Sequence, residues 1–232
     1  MSAHSCQSTA DNRLLPDLPA GRLLTDDFFA RSSELVAHDL IGKILWREGV
    51  GGGRLTELEA YLPCHDPACH AACGLTRRNA AMFGPPGTVY LYLSYGIHVL
   101  LNLVCDWERV GSAVLVRSFE PLGDTRRLRL NRARNGKAAA PARASVDHLR
   151  LGPYLSCGPG RVGQALDLHL GLDGLPLGDA SGLYVIDDGV VPTVERTERI
   201  GISKGDRLLL RFVMSESAYV SRRARLRGGR TG

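Results

Sequence analysis

Glu59 and Tyr61 stand two residues apart in Arg54–Leu62, a stretch that reads as a β-strand. Side chains alternate across a strand. Leu55, Glu57, Glu59 and Tyr61 are therefore expected on one face, and Thr56, Leu58, Ala60 and Leu62 on the other. A carboxylate beside a phenol can accept a proton or hold a polar ligand, and Glu is depleted in strands. A solvent-facing strand would carry the same Glu with no chemistry, and the pattern alone leaves both readings open. Arg117 poses the opposite problem. It sits inside the apolar strand Ser112–Phe119. There it needs a carboxylate such as Glu59 or Glu120, or an edge position from which it can reach water.

A second constellation is Tyr90-Leu-Tyr92-Leu-Ser-Tyr95-Gly96-Ile-His98. Two apolar strands, Thr88–Ser94 and Ile97–Val104, meet at Tyr95-Gly96, where Gly96 supplies the positive φ of a tight turn. Tyr95 then lies at a hairpin tip, where an aromatic could wedge between DNA base steps. Tyr90 and Tyr92 are expected to face inward. The alternative is that all three rings pack on the sheet. The run Cys64-His65-Asp66-Pro67-Ala68-Cys69-His70-Ala71-Ala72-Cys73 has the residue types of a zinc site. It lacks paired Cys-x-x-Cys knuckles and a distant second half, so incidental thiols are the default.

The elements that must position these residues follow from periodicity. Thr25 is a candidate N-cap for a helix through Leu40, with Phe28, Leu35, Val36 and Leu40 on its apolar stripe and Gly42 as its stop. A strand over Lys43–Arg47 follows. Gly49 to Gly53 joins it to the Glu59 strand as a hairpin turn; no Lys-Ser/Thr and no helix follow that would suit a phosphate loop. Asp124 should cap a short helix in the basic segment, and another helix falls near Arg161–Leu168. Late strands are expected at Leu183–Asp187, Arg196–Ile202, Leu208–Met214 and Ala218–Ser221. The sum is an α+β fold: a single domain (21–221) on a curved, largely antiparallel sheet with surrounding helices, after a leader (1–20) and before a basic tail (222–232).

The 232 residues carry a net charge of +5. The excess is concentrated in Arg126–Val146, with seven basic residues and no acidic one, and in Arg222–Arg230. Such runs suit a polyanion or a plain solvated surface equally well. No stretch resembles a signal peptide or a membrane-spanning helix. A cytoplasmic or nucleoid location (nuclear in a eukaryote) is expected, with reduced cysteines.

Leu58-Glu59-Ala60-Tyr61, His70, Arg78-Asn79-Ala80-Ala81-Met82-Phe83, Pro86-Gly87-Thr88-Val89-Tyr90-Leu91-Tyr92, Tyr95-Gly96-Ile97-His98 and Asn102 together resemble the core motifs of the alkyladenine (3-methyladenine, methylpurine) DNA glycosylase family. Val114 to Leu122, Cys157 to Leu166, Arg199-Ile200-Gly201-Ile202 and Leu210-Arg211-Phe212 extend the resemblance from about Leu24 to Ser221. It implies a monofunctional N-glycosylase of base-excision repair. Such an enzyme flips alkylated or deaminated purines out of double-stranded DNA and removes them by hydrolysis, leaving an abasic site. By the same resemblance Glu59 is the general base and Arg117 orients the water. Tyr61, His70 and Tyr92 stack on the base, Asn102 discourages guanine, and Tyr95 fills the gap in the duplex. Arg78 and Met82 are candidate DNA contacts. A monomer with no cofactor and no metal is expected.

The thiol-rich segment before His70 and the Pro85-Pro86 pair depart from the family pattern and bear on substrate preference. Two other readings remain open: a catalytically silent DNA-binding protein on the same fold, and a zinc-stabilised nucleic-acid module around Cys64–Cys73.

Overall fold

A computed structural model describes residues 18–135 and 152–221. Most of the expected leader, the part of the basic segment beyond 135, and the tail lie outside the described residues. Nine strands form one sheet: β1 (Arg22–Leu23), β2 (Ile44–Arg47), β3 (Gly51–Tyr61), β4 (Val89–Ser94), β5 (His98–Cys105), β6 (Ser112–Leu122), β7 (Leu183–Asp187), β8 (Val194–Thr197) and β9 (Arg211–Met214). The order is β1-β7-β2-β3-β6-β5-β4. Strand β9 joins β3 beyond the end of β2, and β8 lies on β9. Every pairing among these strands is antiparallel. The sheet is curled, so the α+β expectation holds. Helices α1 (Asp26–Phe29), α2 (Ser33–Leu40), α3 (Arg126–Asn135) and α4 (Pro159–Ala165) surround it.

Each face of the sheet buries its own cluster. The larger holds Phe29, Val36 and Leu40 from α1 and α2, Leu55, Leu58 and Ala60 from β3, Leu101 and Leu103 from β5, and Val162 and Ala165 from α4. The smaller, on the opposite face, holds Cys69, Met82, Tyr90, Val104 and Ala113, with Tyr61 and Tyr92 packed against it.

Four expectations are corrected. The single helix from Thr25 to Leu40 is two helices. Thr25 makes no side-chain cap, whereas the Ser32 hydroxyl accepts the Leu35 N–H and starts α2. The break frees the Phe29 and Arg31 carbonyls, which both accept the Asp106 N–H. It also rotates the apolar stripe, so that Phe29 is buried and Leu35 is 53% exposed. Second, the glycines after Val50 are strand, not turn: β3 begins at Gly51, and a Cβ on Gly52 would lie 1.9 Å from the Leu45 carbonyl oxygen.

Third, β3 does not alternate throughout. Its register against β6 shifts between Leu55 and Glu57 and shifts back between Glu57 and Leu58. The first shift adds Thr56 to β3 and the second adds Arg117 to β6. Leu55 therefore shares the core with Leu58 and Ala60, while Glu57, Glu59 and Tyr61 keep the other face. Fourth, β7 has the expected bounds, but β8 and β9 are shorter than the strands expected at Arg196–Ile202 and Leu208–Met214, and Ala218–Ser221 is not a strand. There the Tyr219 carbonyl accepts the Thr56 and Ser118 hydroxyls, and Glu57 takes the Ser221 N–H, so side chains replace a ladder.

Candidate active site

The register irregularity decides where Arg117 points. In the middle of β6 it turns to the same side as Glu57 and Glu59. Its Nε lies 2.7 Å from Glu57 Oε1 and its Nη1 3.1 Å from Glu59 Oε1. Nη1 also donates to the Ile200 carbonyl at 3.4 Å. Glu59 is thus the expected partner, Glu57 is a closer one that the sequence reading missed, and Glu120 is exposed and not a partner. Burial disfavours the guanidinium's charge, but the two carboxylates outweigh it and raise the Arg117 pKa.

Glu59 has no solvent exposure. Its Oε1 also accepts the Ile200 N–H at 2.8 Å, and its Oε2 accepts the Tyr61 hydroxyl at 3.1 Å. Burial and then the Glu59 charge push the Tyr61 pKa far up, so the phenol stays a donor.

In front of this pair lies a cavity of ≈ 470 Å³, lined among others by Tyr61, His70, Tyr92, Asn102, Arg117 and Ile200. That is within the ordinary size of a small-molecule site. The His70 and Tyr92 rings meet edge to face at 4.6 Å. His70 Nδ1 lies 2.8 Å from the buried Tyr90 hydroxyl. Burial and then the nearby Arg78 charge lower the His70 pKa, which favours the neutral ring. Asn102 pairs with Tyr90 across the β4–β5 ladder, and its Nδ2 donates to the Tyr90 carbonyl at 3.1 Å.

Tyr95 is 89% exposed at the tip between β4 and β5 and lines the cavity mouth. Both Tyr95 (φ 51°) and Gly96 (φ 69°) are left-handed, as in a tight hairpin turn. Arg78 is on the rim, with Nη2 3.4 Å from the Leu93 carbonyl. Met82 is only 2% exposed. It packs with Cys69 and Tyr90 in the smaller cluster, so it is cavity wall and not duplex-facing surface.

Several supports were not legible in the sequence. Arg199 and Asp66, both buried, form a bidentate ion pair with N–O distances of 2.6 and 2.7 Å. The Arg199 guanidinium also sits 4.6 Å from the Tyr61 ring centroid. Asn79 ties the loop after His70, donating to the His70 and Gly74 carbonyls at 2.9 Å each. Asp66 and His70 of the Cys64–Cys73 run are engaged in these structural contacts. Burial pushes the Cys69 thiol up to about 11. Among the described residues, no three His, Cys, Asp or Glu side chains converge as a metal site. No helix among them is long and apolar enough to cross a membrane.

The site therefore combines an aromatic-walled cavity, a buried carboxylate–guanidinium pair and an exposed aromatic at its mouth. Residues 27–218 match the family described as Methylpurine-DNA glycosylase (MPG). A protein of Rhizobium meliloti (strain 1021) named "Putative 3-methyladenine DNA glycosylase" is 45% identical over 203 residues, covering 87% of this chain and 98% of its own. Proteins of the same name from Rhodopseudomonas palustris (strain ATCC BAA-98 / CGA009) and Rubrobacter xylanophilus (strain DSM 9941 / JCM 11954 / NBRC 16129 / PRD-1) are 41% and 44% identical. These cover 87% and 76% of this chain, and 89% and 85% of their own. The chain belongs to the methylpurine-DNA glycosylase family. It is a DNA N-glycosylase of DNA repair.

Proposed function

We propose that the enzyme draws a damaged purine nucleotide out of duplex DNA into the ≈ 470 Å³ cavity and hydrolyses its N-glycosidic bond, leaving an abasic site. Tyr95 fills the space left in the duplex. Tyr61, His70 and Tyr92 stack on the flipped base, and a neutral His70 tolerates a cationic base better than an imidazolium would. Asn102 disfavours guanine by crowding its 2-amino group. Arg78 is a candidate contact to DNA, and Met82 to the flipped base.

The observation that carries the chemistry is the bonding of Glu59. Its Oε1 is occupied by Arg117 and Ile200, whereas Oε2 accepts only the Tyr61 hydroxyl among the hydrogen bonds and ion pairs described above. Oε2 is the atom with capacity to take a proton from water. The water oxygen bonds to C1′ as the C1′–N bond breaks. The base leaves with the electron pair, Glu59 holds the proton, and the buried carboxylate stabilises the positive charge developing on the sugar. Glu59 is sealed from bulk solvent, so the attacking water enters from the cavity alongside Tyr61. A methylated purine leaves as a neutral base, so little acid assistance is required. Among the described cavity-lining residues there is no lysine, which supports hydrolysis over Schiff-base lyase chemistry.

The substrate class is alkylated or deaminated purines: 3-methyladenine, 7-methylguanine, hypoxanthine and ethenoadenine. The test is single-turnover base release from duplexes carrying one such lesion, for wild type and Glu59→Gln, with and without a chelator. Abasic sites from wild type alone, indifferent to chelator, are expected. Tight lesion binding by wild type with no bond cleavage would replace this reading with a binding protein. Loss of activity with chelator would make the Cys64–Cys73 run a metal site.

A further inference from the structure

Four charged side chains meet behind the cavity, each nearly or wholly buried: Glu57, Glu59, Arg117 and Arg211. The two carboxylates are used differently. Glu57 Oε1 takes Arg117 Nε at 2.7 Å, Arg211 Nε at 2.8 Å and the Ser221 hydroxyl at 2.8 Å. Its Oε2 takes the Ser221 N–H at 2.6 Å. Among the contacts described, Glu57 therefore holds four donors against three on Glu59, and the donor on its Oε2, Ser221, is not part of the cavity lining, whereas Tyr61, the donor on Glu59 Oε2, is. Glu57 also takes the Nε edge of Arg117, while Nη1 of the same guanidinium reaches Glu59 and the Ile200 carbonyl.

We infer that Glu57 is a positioning residue for base excision: braced by Arg211 and Ser221, it aims Arg117 at Glu59 Oε1 and so leaves Glu59 Oε2 to Tyr61 and the attacking water. The inference rests on the proposed roles of Glu59 and Arg117. It makes the backbone and hydroxyl of Ser221 part of the reaction geometry, although Ser221 does not line the cavity. A buried charge beside two others is costly unless each is paired, and Arg211 supplies the fourth charge that balances the set. A shift of about 1 Å at the reacting centre costs about 100-fold in rate, so the aim of Arg117 has a measurable consequence.

The experiment uses the full chain. Glu57→Gln, the charge-balanced Glu57→Gln/Arg211→Gln and the mild Ser221→Ala are compared with wild type and Glu59→Gln. Three quantities are read: thermal unfolding, lesion-duplex affinity, and single-turnover excision at saturating enzyme. For the folded Glu57 variants, excision is expected to fall about 10- to 100-fold, on the scale of a sub-ångström to 1 Å misplacement. Affinity should change less than about twofold, since Glu57 does not touch the cavity. Ser221→Ala keeps all four charges and should lose a few-fold in rate with affinity unchanged. It decides the matter if neither Glu57 variant folds. In an Arg117→Gln background the further loss from Glu57→Gln should largely vanish, whereas in a Tyr95→Ala background it should persist.

Wild-type excision by a folded Glu57 variant overturns the inference, as does wild-type excision by Ser221→Ala when neither Glu57 variant folds. So does a rate that falls only in step with affinity or stability. If Glu59→Gln retains excision, the underlying reading of the site fails, and Glu57 with it. If Glu59→Gln is inactive while the Glu57 variants are not, only the positioning role fails.

Discussion

Arg199 and Asp66, 133 residues apart in the chain, grip each other through two hydrogen bonds with no solvent exposure of either side chain. The pair joins two loops that each supply cavity wall. Asp66 also accepts the Leu62 and Ala68 N–H groups ahead of His70, and Arg199 precedes Ile200 and underlies Tyr61. Burial pushes the Asp66 pKa up, but the bonds from Arg199 and those backbone groups overbalance it, and the net shift is downward from 3.8. A depressed carboxylate contributes stability that is complete above its unfolded value and is lost as pH falls through its folded one. Asp66→Asn leaves a buried guanidinium unpaired and should cost about 3–5 kcal/mol near neutral pH in urea unfolding. The cost should shrink below about pH 4 as wild type loses the same contribution. A variant as stable as wild type at pH 7 would refute this.

His70 gives a pH dependence of its own. Its pKa is lowered from 6.5 by burial and by Arg78, so the folded chain favours the neutral ring. Its contribution to stability is present above 6.5 and is lost as pH falls through the depressed folded value. Binding of a duplex with a cationic methylated purine should weaken over the same acid range, because an imidazolium would face a positive base. NMR titration of the His70 ring checks the first step. A midpoint at or above that of free histidine would overturn both.

Tyr95 should separate binding from stability. It is 89% exposed, so Tyr95→Ala should leave unfolding within about 0.5 kcal/mol of wild type while weakening lesion binding and excision. Gly96→Ala meets no neighbour, yet its φ of +69° is left-handed. It should destabilise by about 1–2 kcal/mol through backbone strain alone. Equal lesion affinity of Tyr95→Ala and wild type would remove Tyr95 from the DNA interface.

Gly52 tests the sheet. A Cβ there would lie 1.9 Å from the Leu45 carbonyl oxygen, a backbone atom that cannot rotate away. Gly52→Ala should cost about 3 kcal/mol or more and lower soluble yield, as overpacking against rigid atoms does. Unfolding at the wild-type denaturant midpoint would show that β2 and β3 can part without cost.

The strands β2, β4, β5 and β7 were legible within a residue or so, because long apolar or alternating runs bounded by Gly, Pro and Asp leave few other options. Glu59, Arg117, Tyr61, His70, Tyr92, Asn102 and Tyr95 were legible as candidates through their motifs, and all but Glu59 line one cavity, with Glu59 directly behind it. The break at Ser32 was missed because Phe28, Leu35, Val36 and Leu40 fit one continuous helical stripe. The strand expected at Ala218–Ser221 was wrong for a related reason. Apolar alternation says nothing about whether side chains elsewhere will take the backbone groups of a segment.

Residue type and local periodicity by themselves determined that this chain makes an antiparallel α+β sheet with an aromatic hairpin tip. Those properties depend on neighbours a few positions apart. Only the tertiary structure decided which carboxylates Arg117 holds, that Glu57 Oε2 is bonded by Ser221 and Glu59 Oε2 by the cavity-lining Tyr61, and that Asp66 belongs to Arg199. Each depends on a two-residue register irregularity or on partners 58 to 164 residues away. The preference of one buried ion pair over another is set by distance and by the number of competing donors, and these exist only once the chain is folded.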